Sequence, residues 1–318
     1  MNLNRSMIFV SLFLSSTAIA QYVNKMPIYP LPNQIILPPN KVALGERLFH
    51  DSRLSRDDSI SCATCHDLAT GGVDNLPFSI GIDGQKGDIN TPTVFNSHFN
   101  FKQGWAGRAA TLKEQVALPI HNPKEMDSNW QHVISKLEKD NYYFKTFNRL
   151  YTDGIQEHNI QDALAIFESS LITPDSPFDR YLNGDENALN EPEKKGYHLF
   201  NSYGCISCHQ GINIGGNMFQ KFGVFGDYFA DRGNITKADL GRFNVTGREM
   251  DRHRFKIPSL RNVALTAPYF HDGSAATLKE AVKIMIRYQL GRDIPKEEIE
   301  LIIDFLGTLT GKYKGKSL

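Results

Sequence analysis

The sequence predicts a mainly α fold made of two units related by an internal repeat and joined through long loops. Three observations carry this reading. The pentapeptide Cys62-Ala63-Thr64-Cys65-His66 returns as Cys205-Ile206-Ser207-Cys208-His209, and each copy follows a Gly-x-x-Leu-Phe signature, at 45–49 and at 196–200. Residues 106–116 align with 272–282 through a shared Ala-Ala-Thr-Leu-Lys-Glu run, and just upstream Pro92 and Asn96 match Pro258 and Asn262. Apolar residues also recur at helical spacing: Ile160, Leu164, Phe167 and Leu171 in one stretch, and Ile299, Ile302, Ile303, Leu306 and Leu309 in another. Pro295 before the second stretch and Gly311 after it punctuate a helix in the usual order. Both stripes are read as core.

The N-terminus comes first. Arg5, the apolar run from Met7 to Leu14, and Ala18-Ile19-Ala20 form a secretory signal peptide over 1–20, with cleavage expected before Gln21. The run is too short for a transmembrane span. Export places the mature chain in the periplasm. Lys and Arg together number 35, as do Asp and Glu. Loss of the leader removes Arg5 and no acid, so the mature chain is slightly acidic. Nucleic-acid binding, which calls for a basic surface, is not expected.

The Cys-x-x-Cys-His spacing is the attachment signal for c-type haem. Two thiols add to the haem vinyl groups and the adjacent histidine ligates the iron. Cys62, Cys65 and His66 would hold a first haem, and Cys205, Cys208 and His209 a second. A zinc site or a disulfide framework is the competing reading of four cysteines, but no cysteine is left over and both pairs end in histidine. Two haem domains follow, each expected to be cytochrome-c-like. The Pro-rich segment 173–177 is the expected junction. The organisation read from the sequence is a first haem domain over 21–172, a second over 173–311 and a tail over 312–318. The Gly- and Pro-rich stretches 71–92 and 211–247 are expected to be long loops that shape sites.

The repeat also exposes a difference. Met285 lies three residues after Val282 on an expected helix, and thioether sulfur is a soft iron ligand that raises haem potential. The matched residue in the first unit is Pro119, which cannot ligate. The first haem is therefore the candidate reactive centre and the second the electron store. Glu125, in a short loop after Pro119, is the acid–base candidate beside the first haem. Trp105 stands at the repeat position of His271 and is a candidate relay between the haems. Each has a plainer reading: Met285 as core filler, Glu125 as a solvated acid, Trp105 as packing.

With these residues in place, the chain resembles the bacterial di-haem cytochrome c peroxidases over nearly its whole mature length. The resemblance rests on both Cys-x-x-Cys-His motifs, Gly71-Gly72-Val73-Asp74-Asn75, Asn90-Thr91-Pro92-Thr93-Val94, Gly107-Arg108-Ala109, residues 173–179, and Leu265-Thr266-Ala267-Pro268-Tyr269-Phe270-His271. It implies reduction of hydrogen peroxide to water, with electrons from a small periplasmic cytochrome c or cupredoxin. By the same resemblance Met285 is the distal ligand of the second haem, Trp105 lies between the haems, and Gln115 and Glu125 belong to the distal pocket of the first. The Asn90 side chain, with the carbonyls of Thr266 and Pro268, would form a calcium site, and the protein would be a homodimer.

One departure stands out. Many relatives carry a removable distal histidine where this chain has Ile82, and an aromatic residue common before the tryptophan is replaced by Gly104. Ile82 cannot ligate iron, so the first haem is expected to be open without reductive activation. His121 is the first rival ligand and His98 the second. The vacancy is shared with di-haem oxidases that modify a protein substrate, such as the methylamine dehydrogenase maturation enzyme; these place a tyrosine where Met285 stands. A non-catalytic di-haem electron carrier is the remaining alternative.

Overall fold

The computed structural model describes residues 27–318, so the expected signal peptide lies outside the described residues. In chain order the helices are α1 (Pro39–Phe49), α2 (Cys62–Cys65), α3 (Leu112–Gln115), α4 (Ala117–His121), α5 (Trp130–Leu137), α6 (Asn141–Leu150) and α7 (Glu157–Ser170), followed by α8 (Pro177–Leu182), α9 (Glu191–Ser202), α10 (Tyr228–Arg232), α11 (Phe243–Thr246), α12 (Leu278–Met285) and α13 (Lys296–Gly307). β1 (Phe219–Lys221) pairs antiparallel with β2 (Arg254–Lys256), and β3 (Lys312–Tyr313) with β4 (Lys316–Ser317). Among the described residues no helix is long and apolar enough to cross a membrane.

Each half is built on a close helix crossing. A Cβ at Gly45 of α1 would stand 2.0 Å from the Ala163 carbonyl oxygen of α7, and one at Gly196 of α9 would stand 1.9 Å from the Leu301 carbonyl oxygen of α13. Only glycine admits that approach, which explains the Gly-x-x-Leu-Phe signature. The Leu and Phe that follow are buried or partly buried: Leu48 and Phe49 in one core with Phe147, Leu164 and Phe167, Leu199 and Phe200 in the other with Phe178 and Phe305. Each fully buried side chain of this size contributes about 1.5–3 kcal/mol.

The helix expected over 159–171 is α7, and the one expected over 295–309 is α13, with Pro295 as its N-cap. The stretch 211–247 is not wholly loop, however. It carries β1, α10 and α11, and a third cluster of Phe222, Tyr228, Phe229, Phe255 and Tyr288. These elements are three to five residues long and are fixed by partners distant in sequence, so no periodicity announced them. After α12 the chain winds through a π-helical turn, Ile286–Leu290, which was likewise unforeseen. Such turns are frequent at functional sites.

The segment 173–177 is held by hydrogen bonds from both sides. Asn96 and Asn262, both at φ 60°, meet at Thr173. Asn96 Nδ2 donates to Thr173 Oγ1 (2.8 Å), Thr173 N donates to Asn96 Oδ1 (2.9 Å), and Asn262 Nδ2 donates to Thr173 Oγ1 (3.0 Å). The chain ends cross over. Ile28 packs in the second core, while Tyr313 packs against the first, its ring 5.1 Å from that of Phe95. The N-terminal segment is fastened by a buried ion pair, Arg261 to Asp179 (2.6 Å). Arg261 also donates to the Tyr29 carbonyl, and Asp179 accepts from Leu31 N.

Candidate active site

At the first motif α2 is a single turn with Ser61 as its N-cap, and Ser61 N donates to Thr64 Oγ1 (3.0 Å). This sets Cys62 and Cys65 three residues apart on one side of the turn, both thiols free. At the second motif a 3-10 turn, Cys205–Ser207, does the same for Cys205 and Cys208. Burial pushes the thiols of Cys65 and Cys205 up to about 11, and that of Cys62 higher still. The sulfurs of Cys62, Cys65 and Cys205 therefore stay protonated at neutral pH.

The two motif histidines are held alike. His66 Nδ1 lies 3.2 Å from the Gly72 carbonyl oxygen, and His209 Nδ1 lies 3.3 Å from that of Ile214. A carbonyl acceptor fixes the proton on Nδ1 and leaves Nε2 free to ligate. Enclosure of the rings lowers both pKa values, that of His209 to about 4, so both imidazoles are neutral. Free paired thiols beside an oriented neutral imidazole are the donor set that covalent haem attachment requires, and both motifs fit it.

Beside the first motif, Glu125 is partly buried and its charge raises the pKa of the Cys65 thiol. Burial pushes the Glu125 carboxyl above its ordinary range, against the pull of the Asn122 amide and the Arg108 charge. Asn122 Nδ2 donates to its Oε1 (2.5 Å). Ile82 is fully buried, and its N–H donates to the Glu125 carbonyl oxygen (2.9 Å). Gly81 is pressed so closely that a Cβ would meet the Lys124 carbonyl oxygen at 2.1 Å. Arg56 ties the two loops together through Asp83 and Asp127.

Gln115 ends α3, and its Oε1 lies 4.0 Å from the position a Cβ would take on Gly104. His121 is exposed, with Nδ1 3.3 Å from the Ser128 carbonyl oxygen and its ring edge-on to Trp130. His98 packs edge-on to Phe99.

Trp105 joins the halves. Its Nε1 donates to the Asn90 carbonyl oxygen (2.8 Å), while Asn90 N donates to the His271 carbonyl oxygen (2.8 Å). The rings of Trp105 and His271, matched in the repeat, lie 6.4 Å apart. Trp105 and Met285 pack against the same aromatic cluster. The oxygens named for calcium fit a hard cation: among the described residues no hydrogen-bond donor reaches Asn90 Oδ1 or the carbonyls of Thr266 and Pro268. Asn75 instead donates to the alternate carbonyls, of Leu265 and Ala267.

Three groups escaped the sequence reading. Asp239 is fully buried and accepts from His271 Nε2 (2.7 Å) and Arg232 Nη2 (2.6 Å); burial raises its pKa, but these bonds hold it well below the usual range. Glu168 is buried in α7, pushed up by burial to about 8, and its charge reaches Cys62. It falls four residues after Leu164 and three before Leu171, on the apolar stripe, and that spacing was the available signal. Lys256, in β2, is the third.

The model of the family described as di-haem cytochrome c peroxidase matches residues 39–187. The cytochrome c peroxidase of Escherichia coli K12 is 52% identical over 288 residues, which is 90% of this chain and 62% of that protein. This chain thus spans less than two thirds of that relative's length. The cytochrome c551 peroxidase of Nitrosomonas europaea is 47% identical over 90% of this chain and 84% of its own. A solved structure of a MauG-like protein associated with microbial copper homeostasis superposes with a TM-score of 0.78 at 28% identity, covering 90% of this chain and 94% of that one. By these likenesses this chain belongs to the di-haem cytochrome c peroxidase family.

Proposed function

We propose that this chain is a periplasmic peroxidase that takes hydrogen peroxide, two electrons and two protons to two waters. The observation that carries the reading is the pairing of Glu125, a partly buried carboxyl of raised pKa beside the first motif, with Ile82, a fully buried side chain without a donor atom. When bound, the first haem would supply an iron able to take peroxide and the second an electron store. Glu125 takes the proton from the near peroxide oxygen and returns it to the leaving oxygen, the task of a positioned acid–base group. Asn122 fixes that carboxyl through Oε1, and Gln115 lines the same pocket. His66 and His209 would hold the two irons through Nε2. Met285 would offer its thioether sulfur to the iron of the second haem, and Trp105 would pass electrons between the two.

The organisation that goes with this reading is two haem domains of one repeat, 21–172 peroxidatic and 173–311 electron-transferring, with a tail at 312–318 behind a cleaved leader. Calcium held by Asn90 Oδ1 and the carbonyls of Thr266 and Pro268 would lock the hydrogen bonds about Trp105. The electron donor is a small cytochrome c or cupredoxin, and the working form is a homodimer. Met285, rather than tyrosine, sets this reading above modification of a protein substrate.

The test is cyanide and peroxide binding to the fully oxidised protein, followed by optical and EPR spectra. Fast binding with a high-spin signal is expected. Two low-spin signals with slow binding would refute an open first haem, and absence of peroxide turnover would leave an electron carrier.

A further inference from the structure

Lys256 is a buried cation without a counter-ion. It is 6% exposed, and among the described residues neither an ion pair nor a hydrogen bond engages its ammonium. Burial alone lowers its pKa, to about 8. An isolated buried ammonium is among the least favourable groups a fold can hold, so such groups are normally paired. Its place is fixed by the backbone: Lys256 N donates to the Trp105 carbonyl oxygen (2.7 Å), and Lys256 pairs with Phe219 across the β1–β2 ladder.

The acid beside the neighbouring Phe255–His271 pair, Asp239, is committed to Arg232 and His271. Phe255 precedes Lys256, and its ring packs 4.3 Å from that of His271, over the Asp239–Arg232 group. Neighbours on a strand point to opposite faces, so Lys256 is turned away from those carboxylates. Arg242, which donates to the Ala106 carbonyl (3.2 Å), adds a second cation beside the same 105–107 turn. The surroundings of the ammonium therefore call for a carboxylate that the polypeptide does not supply. Each c-type haem brings two.

We propose that Lys256 is the counter-ion of a haem propionate at the junction of the halves, and that this pair sets the reduction potential of the haem concerned. The inference rests on the two-haem reading above. Lys256 is a positioning and tuning residue here, acting on the cofactor's carboxylate rather than on peroxide. Reduction adds negative charge, so a nearby fixed cation favours it.

The experiment is potentiometric titration and resonance Raman spectroscopy of the full-length holoprotein, after a pyridine haemochromagen count of its haems. In Lys256→Met one midpoint is expected to fall by at least a factor of ten in the reduction equilibrium, about 59 mV for one electron. The propionate-bending bands of that haem should shift with it, while Lys256→Arg keeps both near wild type. Lys256→Gln gives the same reading should the methionine variant fail to accumulate. Two haems with unchanged midpoints and bands would overturn the Lys256 assignment alone. So would a wild-type midpoint that follows chloride concentration at fixed ionic strength, the mark of an exchangeable ion. Fewer than two haems in the wild type would overturn the two-haem reading and this inference together.

Discussion

At the two helix crossings the halves use the same parts: Gly45 against Ala163 and Phe167, Gly196 against Leu301 and Phe305. One residue beyond those phenylalanines they diverge, to Glu168 in the first half and Leu306 in the second, both buried. They diverge again where Pro119 of α4 stands at the position of Met285 in α12, and where Trp105 faces His271. The glycine crossings are kept, while Glu168 against Leu306, Pro119 against Met285 and Trp105 against His271 differ. Under the proposed function, these few differences would separate a reactive half from a storing half built on one pair of crossings.

The sharpest way to break that comparison is Glu125→Gln, which touches only the half proposed to be reactive. The O–O cleavage step is expected to slow by roughly 10²–10⁴ in stopped-flow mixing with peroxide, with the spectrum of the second haem unchanged. An unaltered rate would remove Glu125 from the chemistry.

Next is the pH response of Glu168. Its folded pKa, about 8, lies above the ordinary 4.5. The folded state holds this proton more tightly, so the stabilising preference is complete below 4.5 and is lost as pH rises through about 8. Urea unfolding should report a loss on the order of a few kcal/mol across that window. Glu168→Gln should flatten the profile there, and coincident wild-type and variant profiles would sink the idea.

The smallest expected effect is also the most symmetric. Gly45→Ala and Gly196→Ala each force a methyl onto a helix carbonyl, and each should destabilise by about 1–3 kcal/mol. Urea midpoints that differ widely between the two variants would mean that the crossings are not equivalent.

What was legible in the sequence was what repeats or what carries a spacing rule. The motifs pointed to the paired thiols and oriented histidines, the apolar stripes to α7 and α13, and the paired runs at 106–116 and 272–282 to the register in which Pro119 matches Met285. Glu125 was singled out by its place after Pro119. What stayed hidden depends on contacts between distant segments. β1 and β2 are too short to show an alternation, the π-helical turn after Met285 leaves no pattern, and Asp239 gains its partners from residues 232 and 271. Lys256 looks like an ordinary charged residue until burial is known, whereas Glu168 betrays itself only by falling on the apolar stripe of α7. The asparagines that share Thr173 were visible as a matched pair, but not as a pair that meets.

The crossed ends have a consequence for biosynthesis. Tyr313 packs on the first core, and Lys314 pairs with Glu46 (2.7 Å), so the first half is not closed until the last residues of the chain have been made. Ile28 waits in turn for the second half, whose core it completes. A first half without residues 313–314 would lack the Tyr313 ring on Phe95 and the Lys314–Glu46 ion pair. The final assembly step is one in which each half receives a strap from the opposite end of the chain.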